Sequence, residues 1–106
     1  MNNEKLQDAI NEVNKAKPDF EKIRQDRLVQ AKNNVVVIRG NIDKVDIALD
    51  EFSEMNRKQR RLPVNRKWKN NADLVRNQYL IQLDMANQML RNAQRAVDEA
   101  SARKNK

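Results

Sequence analysis

Residues 28–52, LVQAKNNVVVIRGNIDKVDIALDEF, contain the pattern that decides the fold. Apolar residues recur in this stretch at alternating intervals of three and four, at Leu28, Ala31, Val35, Ile38, Ile42, Val45, Leu49 and Phe52. This is the a/d spacing with which the helices of a coiled coil meet. Gly40 lies between Ile38 and Ile42 without changing their interval, so we predict a continuous helix with Gly40 on its outer face.

A second apolar pattern follows after a short turn. The first pattern predicts a helix over about residues 19–60, and Pro63 is expected to stop it because proline lacks a backbone donor. We assign a basic turn to 61–66 and a further helix to about 67–103, capped by Asn65 or Asn70. The seam of that helix is Ala72, Tyr79, Leu83, Ala86, Leu90, Ala93, Val97 and Ala100. Because short turns join antiparallel helices, the sequence predicts an all-α, coiled-coil-like, long antiparallel helical hairpin.

A short amphipathic helix is predicted before the hairpin, over about residues 4–16. Its apolar residues share one helical face and are Leu6, Ala9, Ile10, Val13 and Ala16. Pro18 is expected to separate it from the next helix. No repeat or change of composition divides the chain, so residues 1–106 are treated as a single helical domain. The first helix either docks on the hairpin, giving a three-helix bundle, or leaves room for a second copy, giving a dimeric bundle.

Large apolar residues also fall outside both seams, and they are our candidate protein interface. The set is Val29, Val36, Ile47, Leu80, Ile81, Met85 and Met89. Burying one such side chain contributes roughly 1.5–3 kcal/mol, which argues against leaving all of them in water. Since the first helix is too short to cover the hairpin, this surplus favours self-association or a protein partner. The alternative interpretation of the two methionines is ordinary core, where methionine at helical spacing is common.

The predicted hairpin tip concentrates positive charge. Residues up to Met55 carry a net charge of −2, whereas residues from Asn56 onward carry +9. Our candidate polyanion-binding residues are Arg57, Lys58, Arg60, Arg61, Arg66, Lys67, Trp68 and Lys69. Arginine forks bind phosphates and tryptophan can stack on a base, so these residues predict contact with nucleic acid. The alternatives are a solvated tip whose bases complement the helix dipole, with Trp68 closing the core, or an acidic protein partner.

A stripe of acids on the second predicted helix is the last surface feature. Asp43, Asp46, Asp50 and Glu54 share its outer face. We interpret them mainly as solvated side chains and expect no metal ion there. Their second interpretation is a contact for basic residues of another copy, such as Arg91 and Arg95.

Composition argues against several classes of function. The chain has no histidine, no cysteine and only one glycine, so it lacks the commonest zinc ligands and any glycine-rich phosphate loop, and its two serines, Ser53 and Ser101, have no base in view. We therefore expect no enzyme activity, no cofactor and no metal. The mean hydropathy of −1.00 and the absence of a long apolar run predict no membrane partner. The absence of cysteine is compatible with the cytoplasmic location that we expect.

Two functions remain. The first is a non-enzymatic helical interaction protein, such as a small assembly factor, adaptor or inhibitor, acting through its coiled-coil faces. The alternative is a nucleic-acid-binding module in which the basic tip, residues 57–69, contacts phosphates. Both leave open the identity of the partner and the number of subunits.

Overall fold

The computed structural model describes residues 3–104 and shows four helices without a strand in that range. Helix α1 spans Asn3–Lys15, α2 Phe20–Glu54, α3 Arg57–Arg60 and α4 Pro63–Lys104. Helices α2 and α4 lie side by side and form the long antiparallel hairpin predicted from the sequence. The radius of gyration is 24.8 Å, whereas a compact chain of this length would measure about 13 Å. The molecule is therefore a rod.

The hairpin core is the predicted seam. On α2, Leu28, Ala31, Val35, Ile42 and Phe52 are buried, and the other three seam residues are half-buried. On α4, only Ala86 is fully buried, while the remaining seam residues are half-buried. Two helices bury only a narrow stripe of each other, so even the seam keeps contact with solvent. The three-and-four spacing is confirmed as the contact between the two helices.

Gly40 lies inside an unbroken helix, as predicted. Helix α2 continues through it, and no glycine in the described chain has a positive φ. A Cβ atom built on Gly40 would find nothing within 4 Å. Its backbone therefore needs no glycine, and no neighbour excludes a side chain at this position.

The predicted end of the second helix, residue 60, is wrong. Helix α2 ends at Glu54, and Met55 adopts an extended conformation. The chain then begins a separate single-turn helix, α3, because the Asn56 side chain accepts a hydrogen bond from the Gln59 amide at 2.8 Å. Asparagine caps compete with helix continuation in this way. The signal was present as an asparagine followed three residues later by glutamine, which is a pattern close to the capping box.

The predicted turn at 61–66 is also too long. Pro63 is the first residue of α4 rather than a stop, and residues 63–66 are helical. Proline suits this position because its missing N–H would have no helical partner there. Asn65 is not the N-cap: it lies in the first turn, and its Nδ2 donates to the Gln59 carbonyl at 2.8 Å. Asn70 also lies within α4. The hairpin tip is therefore a helical turn, α3, attached to the start of α4.

Helix α1 does not dock on the hairpin. All its residues are exposed, and residues 16–19 separate it from α2 at the predicted break around Pro18. Asp19 caps α2, since its Oδ1 accepts from the Lys22 amide at 3.0 Å. The single chain thus does not form the three-helix bundle. The dimeric bundle stays a prediction.

Candidate interaction surfaces

A groove runs along one flank of the hairpin, between α2 and α4. It consists of two adjoining cavities of about 470 and 310 Å³, which share Ala31, Asn34 and Met89. Its apolar floor and walls are Ala31, Val37, Ile38, Met85, Ala86, Met89, Ala93 and Ala96. The only charged residues along it are Arg24 and Arg27, at the open end of the hairpin, and no acid lines it. We call this feature the flank groove.

The structure divides the candidate protein interface among different faces. Met85 and Met89 line the flank groove, each about three-fifths exposed. Val29 and Val36 directly follow the buried seam residues Leu28 and Val35, which places them at heptad position b. Groove residues such as Val37 occupy positions c and g, on the other side of the seam. The predicted residues therefore do not form one continuous patch.

The remaining members of that set do not line the groove either. Leu80 is half-buried beside the seam, opposite to the groove. Ile47 and Ile81 are exposed at heptad position f, which faces away from the partner helix. Val37 is the groove residue that our interface set lacked. The heptad position of Val37 was readable from the sequence, but the cavity beside it required both helices.

The flank opposite the groove holds an ion pair between the two helices. Arg76 Nε donates to Asp46 Oδ1 at 2.6 Å, which joins α4 to α2. This hydrogen bond and the charge of Asp46 raise the pKa of the Arg76 guanidinium above its ordinary value. Asp46 thus interacts within its own chain, and the expectation of a simple solvated acidic stripe is wrong at this position. The pair helps to fix the register between the two helices.

Trp68 closes the tip end of the core. Its ring stacks on the buried Phe52 ring, with the centroids 5.7 Å apart and the planes at 25°. Offset stacking of this kind is favourable beyond the area that it buries. Trp68 nevertheless stays 43% exposed beside a cavity of about 250 Å³ lined by Met55 and Asn65. One face of the indole ring is therefore occupied, and the predicted base-stacking role would have to use its exposed part.

The bases of the tip are all exposed and gather on α3 and the start of α4. Lys69 pairs with Asp73 at 2.7 Å. The other six bases form no salt bridge with any acid in the described range, and they are Arg57, Lys58, Arg60, Arg61, Arg66 and Lys67. Helix α2 has no base in its last turn, so the helix-dipole explanation fails for it. Arg66 lies in the first turn of α4, where the dipole is positive and disfavours a base.

Residues 3–104 contain no group of three or more acids placed to hold a metal ion. No helix in this part of the chain is long and apolar enough to cross a membrane. No family model matches the chain, and no curated protein or solved structure matches it.

Proposed function

We propose that the protein is a non-enzymatic helical interaction protein, such as an assembly factor, adaptor or inhibitor, and that it binds an amphipathic helix in the flank groove. The observation that carries this proposal is the groove itself, with Val37, Met85 and Met89 exposed on its walls. Helix-in-groove recognition needs an elongated apolar cleft between two helices. Methionine side chains suit such a cleft because they adapt to the shape of the bound helix.

The uncharged polar residues that border the flank groove also support it as the binding surface. Uncharged asparagine and glutamine residues, including Asn34 and Gln82, border the apolar walls. They can hydrogen-bond at the rim of an interface, which is usually polar. Burying them costs less than burying ions, which would need partners of opposite charge. The opposite flank differs, because it carries the charged pair Asp46 and Arg76.

The proposal is tested with a photo-reactive phenylalanine analogue incorporated at Met89 in cells that express the protein. The matched control carries the same analogue at Val36, which is similarly exposed but lies on the opposite flank. We expect a covalent product at position 89 that position 36 does not give, with the cross-linked protein identified by mass spectrometry. A purified partner should then lose binding to Met89→Asp and keep binding to Val36→Asp. Equal products at the two positions, or none, would refute the groove as the binding surface.

A second function is supported by the basic tip. We propose as the alternative a nucleic-acid-binding module in which the exposed bases of α3 and α4 contact phosphates. The observation that favours it is the charge on six exposed bases that repel one another and form no salt bridge in the described range; one of them, Arg66, lies at the positive end of α4, where a base is disfavoured. An anion would relieve that repulsion.

Trp68 supplies the test of this alternative, because it is the only tryptophan in the chain. Its fluorescence is followed while single- and double-stranded oligonucleotides are added at low and near-physiological salt. Four neutralised phosphates would give a slope of log K against log salt of about −3 to −4. Replacing Arg60, Arg61, Arg66 and Lys67 by glutamine should abolish the response. Tight binding that survives these substitutions, or no saturable change in wild type, would exclude the tip as the site.

A further inference from the structure

Two surfaces of the described chain are apolar and exposed, and they have similar lengths. One is the flank groove, and the other is the apolar face of α1, where Leu6, Ile10 and Val13 are exposed. We propose that α1 of one copy occupies the flank groove of a second copy, and that the reverse contact closes a symmetric dimer. This inference rests on the proposed function, because it names the helix that the groove receives.

The lengths of the two surfaces match. Helix α1 has 13 residues, so it is about 20 Å long. The groove follows α2 from Arg24 to Ile38, which is about 21 Å of helix. Leu6, Ile10 and Val13 recur along one side of α1, which gives it apolar contacts over about half of this distance. The groove therefore accommodates the whole of α1.

Because α1 extends away from its own hairpin, the groove that it occupies must belong to a second copy. The molecule is 86 Å long, whereas α4 with its 42 residues spans about 63 Å. The excess is α1, which extends past the open end of the hairpin. A two-fold axis near Pro18 would place the open end of a second hairpin beside it. Each α1 would then run antiparallel to α2 of the other copy, and both contacts would be identical.

Charge favours the same arrangement. Helix α1 carries Glu4, Asp8 and Glu12 against Lys5 and Lys15, so it is acidic by one charge. The groove contains Arg24 and Arg27 and no acid. In the antiparallel arrangement, the C-terminal half of α1, with Glu12, reaches the part of the groove where these arginines lie. Such pairs would fix the orientation more than they add to affinity.

The exposed area is sufficient for a stable dimer. A compact monomer of 12.5 kDa exposes about 6,200 Å². This chain exposes 9059 Å², which is roughly half as much again. A standard interface takes about 800 Å² from each partner. The elongated chain therefore exposes about 2,900 Å² more than a compact monomer of its mass, which is more than one such interface takes from each partner.

A cross-linking experiment tests which copy supplies the helix. The chain has no cysteine, so the double variant Leu6→Cys/Met89→Cys carries one thiol on α1 and one in the groove. A short bifunctional maleimide should join two chains, giving a band at twice the 12.5 kDa chain mass. The control Leu6→Cys/Val36→Cys moves the second thiol to the opposite flank and should give no such band. A cross-link within one chain, or none, would overturn the proposal.

Light scattering of the full chain provides the second measurement. Wild type is expected at twice the chain mass, while Ile10→Asp and Met89→Asp each raise the dissociation constant at least about 100-fold. Both side chains are exposed in the single chain, so the hairpin should still fold, and circular dichroism checks this. Val36→Asp should leave the dimer intact. The Ile10→Asp variant keeps an intact groove, and the Met89→Asp variant keeps an intact α1. Mixing the two variants should therefore restore one of the two contacts and give a weaker dimer. A wild-type monomer, or a dimer that Ile10→Asp leaves unchanged, would refute this inference.

Failure of this inference differs from failure of the proposed function. A monomeric chain whose groove position 89 still cross-links to another protein would keep the groove as a binding site and exclude α1 as its occupant. A monomeric chain with no product at position 89 would exclude both.

Discussion

Replacing Gly40 by alanine is expected to stabilise the protein. Gly40 lies in the interior of a 35-residue helix, where glycine costs about 0.8–1 kcal/mol relative to alanine. The cost comes from the large backbone freedom that glycine loses on folding. A steric penalty would cancel this gain in a crowded site, but an added Cβ meets no atom within 4 Å. The free energy of unfolding should therefore rise by about 1 kcal/mol.

This change is large enough to measure by thermal unfolding. For a domain of this size, 1 kcal/mol corresponds to an increase in Tm of about 4–8 °C. Circular dichroism at one protein concentration is the assay, because binding of a second copy would make Tm depend on concentration. Gly40→Ser is the matched control, since serine has an intermediate helix propensity and should give roughly half of the gain.

A Tm for Gly40→Ala equal to or below that of wild type would refute this reasoning. It would mean that the outer face of α2 at Gly40 is covered in solution, or that the helix is irregular there. A larger stabilisation for serine than for alanine would contradict helix propensity as the cause.

Four further substitutions test three individual contacts. Phe52→Ala should lower the free energy of unfolding by about 3 kcal/mol. It should also shift Trp68 emission to the red, because the buried ring under the indole is lost. Unchanged emission would contradict the stacking of Trp68 on Phe52. Asn56→Ala should cost about 1 kcal/mol in chemical denaturation, since it removes the cap of α3, and an unaffected midpoint would mean that α3 contributes nothing to stability. Arg76→Gln and Asp46→Asn should show a small favourable coupling in a double-mutant cycle that weakens with salt. Because the pKa of Arg76 is raised in the folded protein, its stabilising contribution is complete below the ordinary arginine pKa and is lost only as the pH rises through the raised pKa. A coupling energy that changed near neutral pH through titration of Arg76 would therefore contradict the assignment.

Much of the fold followed from local patterns. The alternation of three and four from Leu28 to Phe52 fixed which face of α2 is buried, and it located Gly40 inside a continuous helix. Pro18 marked a break because proline acts on its own neighbours, whatever the rest of the chain does. The ends of helices were less predictable at the tip. There, Asn56 and Pro63 could be read either as residues within a longer element or as the first residues of a new one.

The candidate sites were predictable as lists of residues but not as surfaces. Exposed bases at residues 57–69 could be foreseen from charge alone, whereas the stacking of Trp68 on Phe52 joins residues of different helices. The surplus apolar residues were also recognised from the sequence, but only the second helix shows that Met85 and Met89 line a groove that Val29 and Val36 do not share.

The sequence by itself thus determined the helical periodicity, the seam, the break at Pro18 and the asymmetry of charge, because each depends on residues close together in the chain. Tertiary structure alone decided the register between α2 and α4, the pairing of Arg76 with Asp46, and the side of the hairpin on which a groove opens. It also decided that α1 extends away from the hairpin. The register, the ion pair and the groove depend on how α2 and α4 face each other across the seam, and helical periodicity is the same for every such arrangement.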